Sequence, residues 1–475
     1  MAQRRLAAAG RARPLALAVV ACVVFLNVID VTILNVAIPT IQRELHAGEA
    51  AIQWLVAGYA AVFGVLIMTG GRLGDIYGYR RVLNIGLVGF VLTSMLCGLA
   101  TTPSLLIVAR LSQGAAAALM APQVSSVVQL LYPPRERVAI LGVFGVLGGA
   151  AAVAGPVVGG LLIEADLFEL GWRIIFLVNL PLGLALILGA MRFLPAQKSP
   201  LSPRLDVAGT ARVTLTFASI LVPLVEGRAL GWPPWCLILL AVAPLMLTYT
   251  VRSSQRRMHL DGSAILVPGL FAERAFAIGV GLSALFQAAM GGTLFVLTLA
   301  LQNGLFFSAG EVGLVHAPFA VGVAAGIGVL ARKVLPRLGS GLVQIGATTM
   351  AIGLCGVSWQ IWTGVGSLWP YLPTMSVMGL GCGMILGSVA PITLSEVNTD
   401  YAGAASGTLK SLQEFGGAAG VAVIGGIFLS FSDRAVAATS LSAFAWASGL
   451  TLSVLLIIAL VAQRIPSNLK VFARD

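Results

Sequence analysis

Fourteen apolar stretches, joined by short polar connectors, constrain this chain more tightly than any motif within it. A helix needs about 20 mostly apolar residues to cross roughly 30 Å of hydrocarbon. With no water there to satisfy the backbone, a spanning segment of this kind closes its own hydrogen bonds as an α-helix. The stretches run approximately over 15–37, 51–70, 82–100, 104–130, 138–162, 173–193, 207–226, 234–251, 275–300, 311–331, 341–362, 369–394, 402–430 and 441–463. Hydrophobic residues make up 58% and charged residues only 10% of the chain, against an apolar share of about 45–50% in soluble domains. The expected fold class is an all-α integral membrane protein.

An even number of spans puts both ends of this chain on one side, and Lys and Arg in short loops mark the cytoplasmic side. Cations gather on the side of the first residue. Arg4, Arg5, Arg11 and Arg13 precede the first span, Arg72, Arg80 and Arg81 follow the second, and Arg252, Arg256, Arg257 and Arg274 lie between the eighth and ninth. Only Arg43, Arg173, Arg228 and Arg434 fall on the opposite side. The expectation is a multi-pass plasma-membrane protein with cytoplasmic N- and C-termini. This topology and contact with anionic lipid account for the net charge of +11, so no nucleic-acid partner is expected. The first span is longer than a signal-peptide core and is read as a retained helix. Cys22, Cys97, Cys236, Cys355 and Cys382 lie in or beside spans with no CxxC, the pattern of packing residues rather than of a disulfide or metal framework.

Connectors 194–206 and 252–274 divide the spans into six, two and six. The expected units are an N-terminal six-helix bundle (1–193), two additional helices with cytoplasmic connectors (194–274), and a C-terminal six-helix bundle with its tail (275–475). A short basic segment follows the second helix of each bundle: GRLGDIYGYRR (71–81) and the acid-free ARKVLPRLGSG (331–341). Internal repeats of this sort are the plan of many secondary transporters, whose sites lie near the bilayer midplane between the halves. Gly, 56 of 475 residues, is well above the usual ~7%, and small residues in spans let helices approach and slide.

Charges inside the spans are the candidate site. Asp30, in IDVTILNVAIP, is an intramembrane carboxylate, costly and by default functional. At 1.5 Å per residue it lies about 24 Å from the cytoplasmic face, and Arg110 of the fourth span about 21 Å from that face. At matched depth the two are expected to be coupled: protonating Asp30 would free Arg110, and a cationic substrate could replace the proton's charge. The alternative is a static pair that staples two helices. Burial favours the neutral form of a carboxyl, which suits a group that loads and releases a proton. Asn27 shares the helical face of Asp30. Lys410 and Glu414 of the thirteenth span are spaced i,i+4 and share a face, with Glu414 about 18 Å deep. Either they neutralise each other or Glu414 is a second proton or cation site. His316 is read as a packed polar residue, and Arg212 as shallow enough to snorkel.

Gly71, Leu73, Asp75, Gly78, Arg80 and Arg81 match the pattern GxLxDxxGRR, and on these residues the chain resembles the major facilitator superfamily, most of all its fourteen-span drug:proton antiporter branch. IDVTILNVAIP (29–39), LIVARLSQGAAAALMAP (106–122), WRIIFLVNLPLG (172–183) and the set Gln53, Trp54 and Tyr59 are similar to that branch too. The resemblance implies two six-helix bundles plus two central helices, and proton-motive-force-driven export of antibiotics or other amphipathic small molecules by alternating access. It also implies a monomer that needs no cofactor beyond the proton gradient. Gly71, Gly74, Asp75, Gly78, Arg80 and Arg81 would form a cytoplasmic gate, the glycines allowing a tight turn and Asp75 pairing with Arg80 or Arg81. Ile76 and Tyr79 stand where the family commonly has cations. Gly155, Pro156, Gly159 and Gly160 match the GPxxGG of exporters, Pro156 bending the helix. The rival is a proton-coupled importer of a sugar or organic acid. No GxxxxGK[ST] segment is present to cradle ATP, and no cluster of Asp or His suggests an enzyme.

Overall fold

The computed structural model describes residues 2–198, 205–261, 264–398, 401–432 and 437–464. Among the described residues, fourteen helices are long and apolar enough to cross a membrane. They are α1 (Arg13–Glu44), α2 (Glu49–Tyr77), α3 (Tyr79–Gly98), α4 (Pro103–Leu131), α5 (Leu147–Ala165), α6 (Gly171–Phe193), α7 (Val207–Ala229), α8 (Pro234–Leu260), α9 (Arg274–Gly304), α10 (Ala309–Ala331), α11 (Gly341–Trp362), α12 (Tyr371–Leu394), α13 (Ala402–Phe431) and α14 (Thr439–Ala462). Each coincides with an expected stretch. Several run beyond it, because hydropathy marks the hydrocarbon slab while the helix continues to where a cap stops it. Thr102 accepts from the Leu105 amide ahead of α4, and Ser308 and Glu311 close a reciprocal capping box at α10.

The segment 71–81 is not the loop its glycines suggested. α2 continues through Gly71, Gly74 and Asp75 to Tyr77, and the single residue Gly78, at φ +97°, separates it from α3. Only Gly78 is there for its backbone freedom. Gly74 serves close approach instead: a Cβ on it would lie 2.0 Å from the Gln123 Oε1 of α4, and one on Gly70 2.1 Å from the Ala118 carbonyl. The corresponding segment of the second half is a short helix, Arg332–Leu338, ended by Gly339 at φ +54°.

The two halves repeat the same packing. α1 lies on α5 and α6, α3 on α4 and α6, and α2 on α4; adding eight to each number gives the packing of the second bundle. The bundles meet along two seams, α5 with α10 and α2 with α13, which this operation exchanges. α7 and α8 are central in the chain but peripheral in space, α7 lying against α2 and α13, and α8 mainly on α7.

At the end opposite the one where α1 begins, the halves are tied by hydrogen bonds. Gln302 Nε2 of α9 donates to the Val36 carbonyl (3.0 Å), Gln53 Nε2 of α2 to the Ala422 carbonyl of α13 (3.4 Å), and the Gly310 amide to Glu164 Oε1 (3.0 Å). The α5–α10 seam is so close that a Cβ on Gly160 would sit 2.4 Å from the Ala309 carbonyl. Gly160→Val should therefore destabilise the protein by about 1–3 kcal/mol, read as a lowered midpoint of thermal unfolding. Gly269→Ala, where no atom lies within 4 Å, should leave the midpoint unchanged.

Candidate functional site

Asp30 is fully buried at 0% exposure and Arg110 at 1%. α1 brings the carboxylate and α4 the guanidinium, Nη1 lying 2.8 Å from Asp30 Oδ2. The other carboxylate oxygen accepts from Gln113 Nε2 of α4 (3.0 Å) and Asn179 Nδ2 of α6 (2.8 Å). Ser94 of α3 takes a hydrogen bond from each of those amides, at 3.2 and 3.0 Å, and passes its own to the Phe176 carbonyl. Arg110 also donates to Gln113 Oε1 (2.7 Å) and to the Leu55 carbonyl (3.4 Å), and lies over the Tyr59 ring at 4.4 Å. Five helices of one bundle thus contribute to one cluster, two of them, α4 and α6, bonding the α1 carboxylate directly. In a low-dielectric interior such a pair is costly unless further hydrogen bonds support it. Here the carboxylate accepts from Arg110, Gln113 and Asn179, and Arg110 donates to Gln113 and Leu55 as well, while the nearby Tyr59 hydroxyl is buried with no partner among the described residues.

The matched depth predicted from sequence is realised as direct contact. The network encloses Asp30, and Tyr59 and Phe176 lie against the Arg110 guanidinium. Both carboxylate oxygens are occupied in this arrangement, one by Arg110 and the other by Gln113 and Asn179. Asn27 does not join the cluster, and its Nδ2 is buried without a partner. Sequence reasoning passed over Gln113, Asn179 and Ser94. The signal was available, since Gln113 lies one helical turn from Arg110 and Asn179 sits inside the quoted 172–183 motif, each an amide in an apolar helix.

Lys410 and Glu414 form an ion pair of 2.6 Å. On α13, Phe415 points to α7, where its ring meets Phe217 at 4.1 Å between centroids, Gly416 and Gly420 point to α9, and the Glu414 Cβ and the Ser411 carbonyl each lie 3.0 Å from where a Cβ on Gly64 of α2 would sit. Lys410 and Glu414 therefore occupy the face turned away from α7, between the halves. Lys410 keeps 44% of its side chain exposed there, and Glu414 is within electrostatic range of Tyr59. His316 is buried, its Nδ1 2.8 Å from the Val312 carbonyl. Arg212 reaches back to the N-terminal end of α7, its guanidinium 3.8 Å from the N-cap Asp206.

The gate residues are arranged differently from the expectation. Asp75 pairs with neither Arg80 nor Arg81; it accepts from the Tyr79 hydroxyl at 3.0 Å, one helical turn on across Gly78. Arg80 turns to the carbonyls of Met191 and Leu194 at the end of α6, and Arg72 to that of Ala264. The single residue between α2 and α3 sets Tyr79 beside Asp75 and carries Arg80 around the next helix. In the exporter motif, Gly155 and Gly159 face Thr32, Ile33 and Val36 of α1, whereas Gly160 and the Pro156 carbonyl face α10. The motif therefore packs α5 within its own bundle and across the seam at once.

Two repeated helix bundles around membrane-interior ion pairs define a secondary transporter. The Major Facilitator Superfamily pattern matches residues 20–421, and the chain belongs to that superfamily. It is 37% identical over 415 residues to a probable actinorhodin transporter of Streptomyces coelicolor, covering 87% of this chain and 72% of the relative. It is 31% identical to the puromycin resistance protein pur8 of Streptomyces alboniger, covering 86% and 80%. Among solved structures, a bacterial homolog of the human lysosomal transporter Spinster shares the fold, with a TM-score of 0.64 at 16% identity over 96% of this chain and 98% of that one.

Removing one partner of the buried pair leaves an uncompensated charge. Arg110→Ala should lose about 3–5 kcal/mol of stability, and Asp30→Asn in the same chain should recover most of it, as measured by thermal unfolding of the purified protein. At the gate, Tyr79→Phe removes the hydrogen bond that Asp75 accepts from the Tyr79 hydroxyl, so it should impair transport more than Arg81→Gln does.

Proposed function

We propose that the chain exports antibiotics or other amphipathic small molecules across the plasma membrane in exchange for protons, with both termini cytoplasmic, as a monomer and without a cofactor. The observation that carries the coupling is the sealed Asp30–Arg110 pair. The direction and the substrate class are supported by the relatives named for antibiotic transport and resistance and by the GPxxGG match at Gly155 to Gly160.

A proton delivered to Asp30 cancels its charge and leaves Arg110 with Gln113, the Leu55 carbonyl and the Tyr59 face. Disrupting a buried pair is worth about 3–5 kcal/mol, close to the roughly 5.5 kcal/mol needed to move a two-state equilibrium from 1:99 to 99:1. One charge crossing the membrane field supplies about 2.3 kcal/mol per 100 mV. Protonation is thus on the scale needed to bias the first bundle between two packings. Tyr59, which lies under Arg110 on α2, the helix that packs on α13, is the link to the seam, where the partly exposed Lys410–Glu414 pair meets the substrate.

In cells preloaded with a fluorescent amphipathic dye, efflux should be abolished by a protonophore and by Asp30→Asn, with protein levels unchanged. Undiminished exchange in Asp30→Asn would remove Asp30 from coupling, and substrate-dependent growth of an uptake-deficient host would favour import.

A further inference from the structure

The two helices outside the repeat hold chemistry that the bundles lack. α7 runs along the α2–α13 seam and is bonded to both sides of it. Thr210 exchanges a hydrogen bond with Thr69 of α2 (2.8 Å), Phe217 packs its ring at a 34° tilt on Phe415 of α13, and Glu226 accepts from Trp54 Nε1 of α2 (2.6 Å). In the last turn of α7, Arg228 forks. One guanidinium nitrogen pairs with Glu49 in the first turn of α2, and the other donates to the Leu429 carbonyl near the end of α13. That carbonyl is among the last four of its helix and so lacks an intrahelical donor. A cation there also meets the negative end of the α13 dipole. Beneath this bridge the seam is shut, with a void of only about 10 Å³ lined in part by Ile52, Phe428 and Leu429.

We propose that Arg228 is the latch of this end of the transporter, joining the two halves from a helix that belongs to neither. Opening this end requires the α2–α13 seam to part. α7 is held to α2 at Thr69, Trp54 and Glu49, and to α13 by the Phe415 ring and the Leu429 carbonyl. The α7 helix therefore travels with the first bundle, and at this end the charged Arg228–Leu429 contact must break together with the neutral Gln53–Ala422 bond. The insert acts as a strap that sets how often the seam opens. This rests on alternating access, not on the identity of the substrate.

The test uses the full chain with its five cysteines replaced by alanine and a reporter cysteine at Ile52, which is 1% exposed. The purified protein in lipid nanodiscs is reacted with a maleimide, so both faces are accessible and neither substrate nor proton gradient is needed; failure of the export proposal leaves the result standing. Arg228→Ala should raise the labelling rate about tenfold or more, the ratio that a charge-assisted hydrogen bond is worth. The swap Glu49→Arg with Arg228→Glu restores the ion pair but places an acceptor against the Leu429 carbonyl, so labelling should stay fast. A swap that restores slow labelling would overturn the latch, since the pair would then only fasten α7 to α2. An unchanged rate in Arg228→Ala would overturn it too. A control cysteine at Leu83, in the core of the first bundle, should stay unreactive throughout; a parallel rise there would show general loosening and count against a latch.

Discussion

One ion pair, fully withdrawn from water, sets the terms for the rest of the first bundle. A carboxylate at the depth of Asp30 is tolerated only if its charge is met and its remaining acceptor positions are filled. Meeting that demand recruits Arg110 and Gln113 from α4, Asn179 from α6 and, behind them, Ser94 from α3. The relative rotation of these helices is thereby fixed by polar geometry, while apolar contacts supply the bulk of the packing. The same interlocking makes the site responsive. A carboxylate that accepts from Arg110, Gln113 and Asn179 weakens several contacts when one proton neutralises it.

The second constraint is how closely the bundles approach. Lipid offers no hydrophobic drive for helix association, so shape and hydrogen bonding must hold the seams. On the α5–α10 seam this is achieved by backbone meeting backbone at Gly160 and Gly313, on the α2–α13 seam by Gln53 and by α7. The repeat makes the two seams equivalent in helix packing, and the insert makes them unequal. Glu414 packs against Gly64 of α2 while the adjacent Phe415 meets α7, so the partly exposed ion pair and the strap occupy different faces of α13.

Much of the architecture was legible in the chain because the bilayer reduces folding to a question of length and polarity. Each expected span is a helix, and the boundaries moved only where caps, not hydropathy, decide them. The segment 71–81 was misread for a physical reason: glycine serves both turns and close contacts, and the sequence does not distinguish Gly78, held at positive φ, from Gly74, pressed against Gln123. The Asp75 partner was misassigned similarly, since Arg80 and Arg81 are near in sequence but carried away by the helix that begins at Tyr79. Depth arithmetic did match Asp30 to Arg110, because rise per residue is fixed in a helix.

The sequence by itself determined the class of fold, the number of spans, the two-fold repeat and the depth of each buried charge, since all of these follow from one-dimensional spacing in a slab of known thickness. Only the tertiary structure decided which side chains meet. It closed Asp30 inside its own bundle with three polar partners, turned Lys410 and Glu414 towards the seam, and placed α7 outside the bundles with Arg228 across their join. Those outcomes depend on the rotation of each helix about its axis and on which helices are neighbours, and packing among many segments sets both.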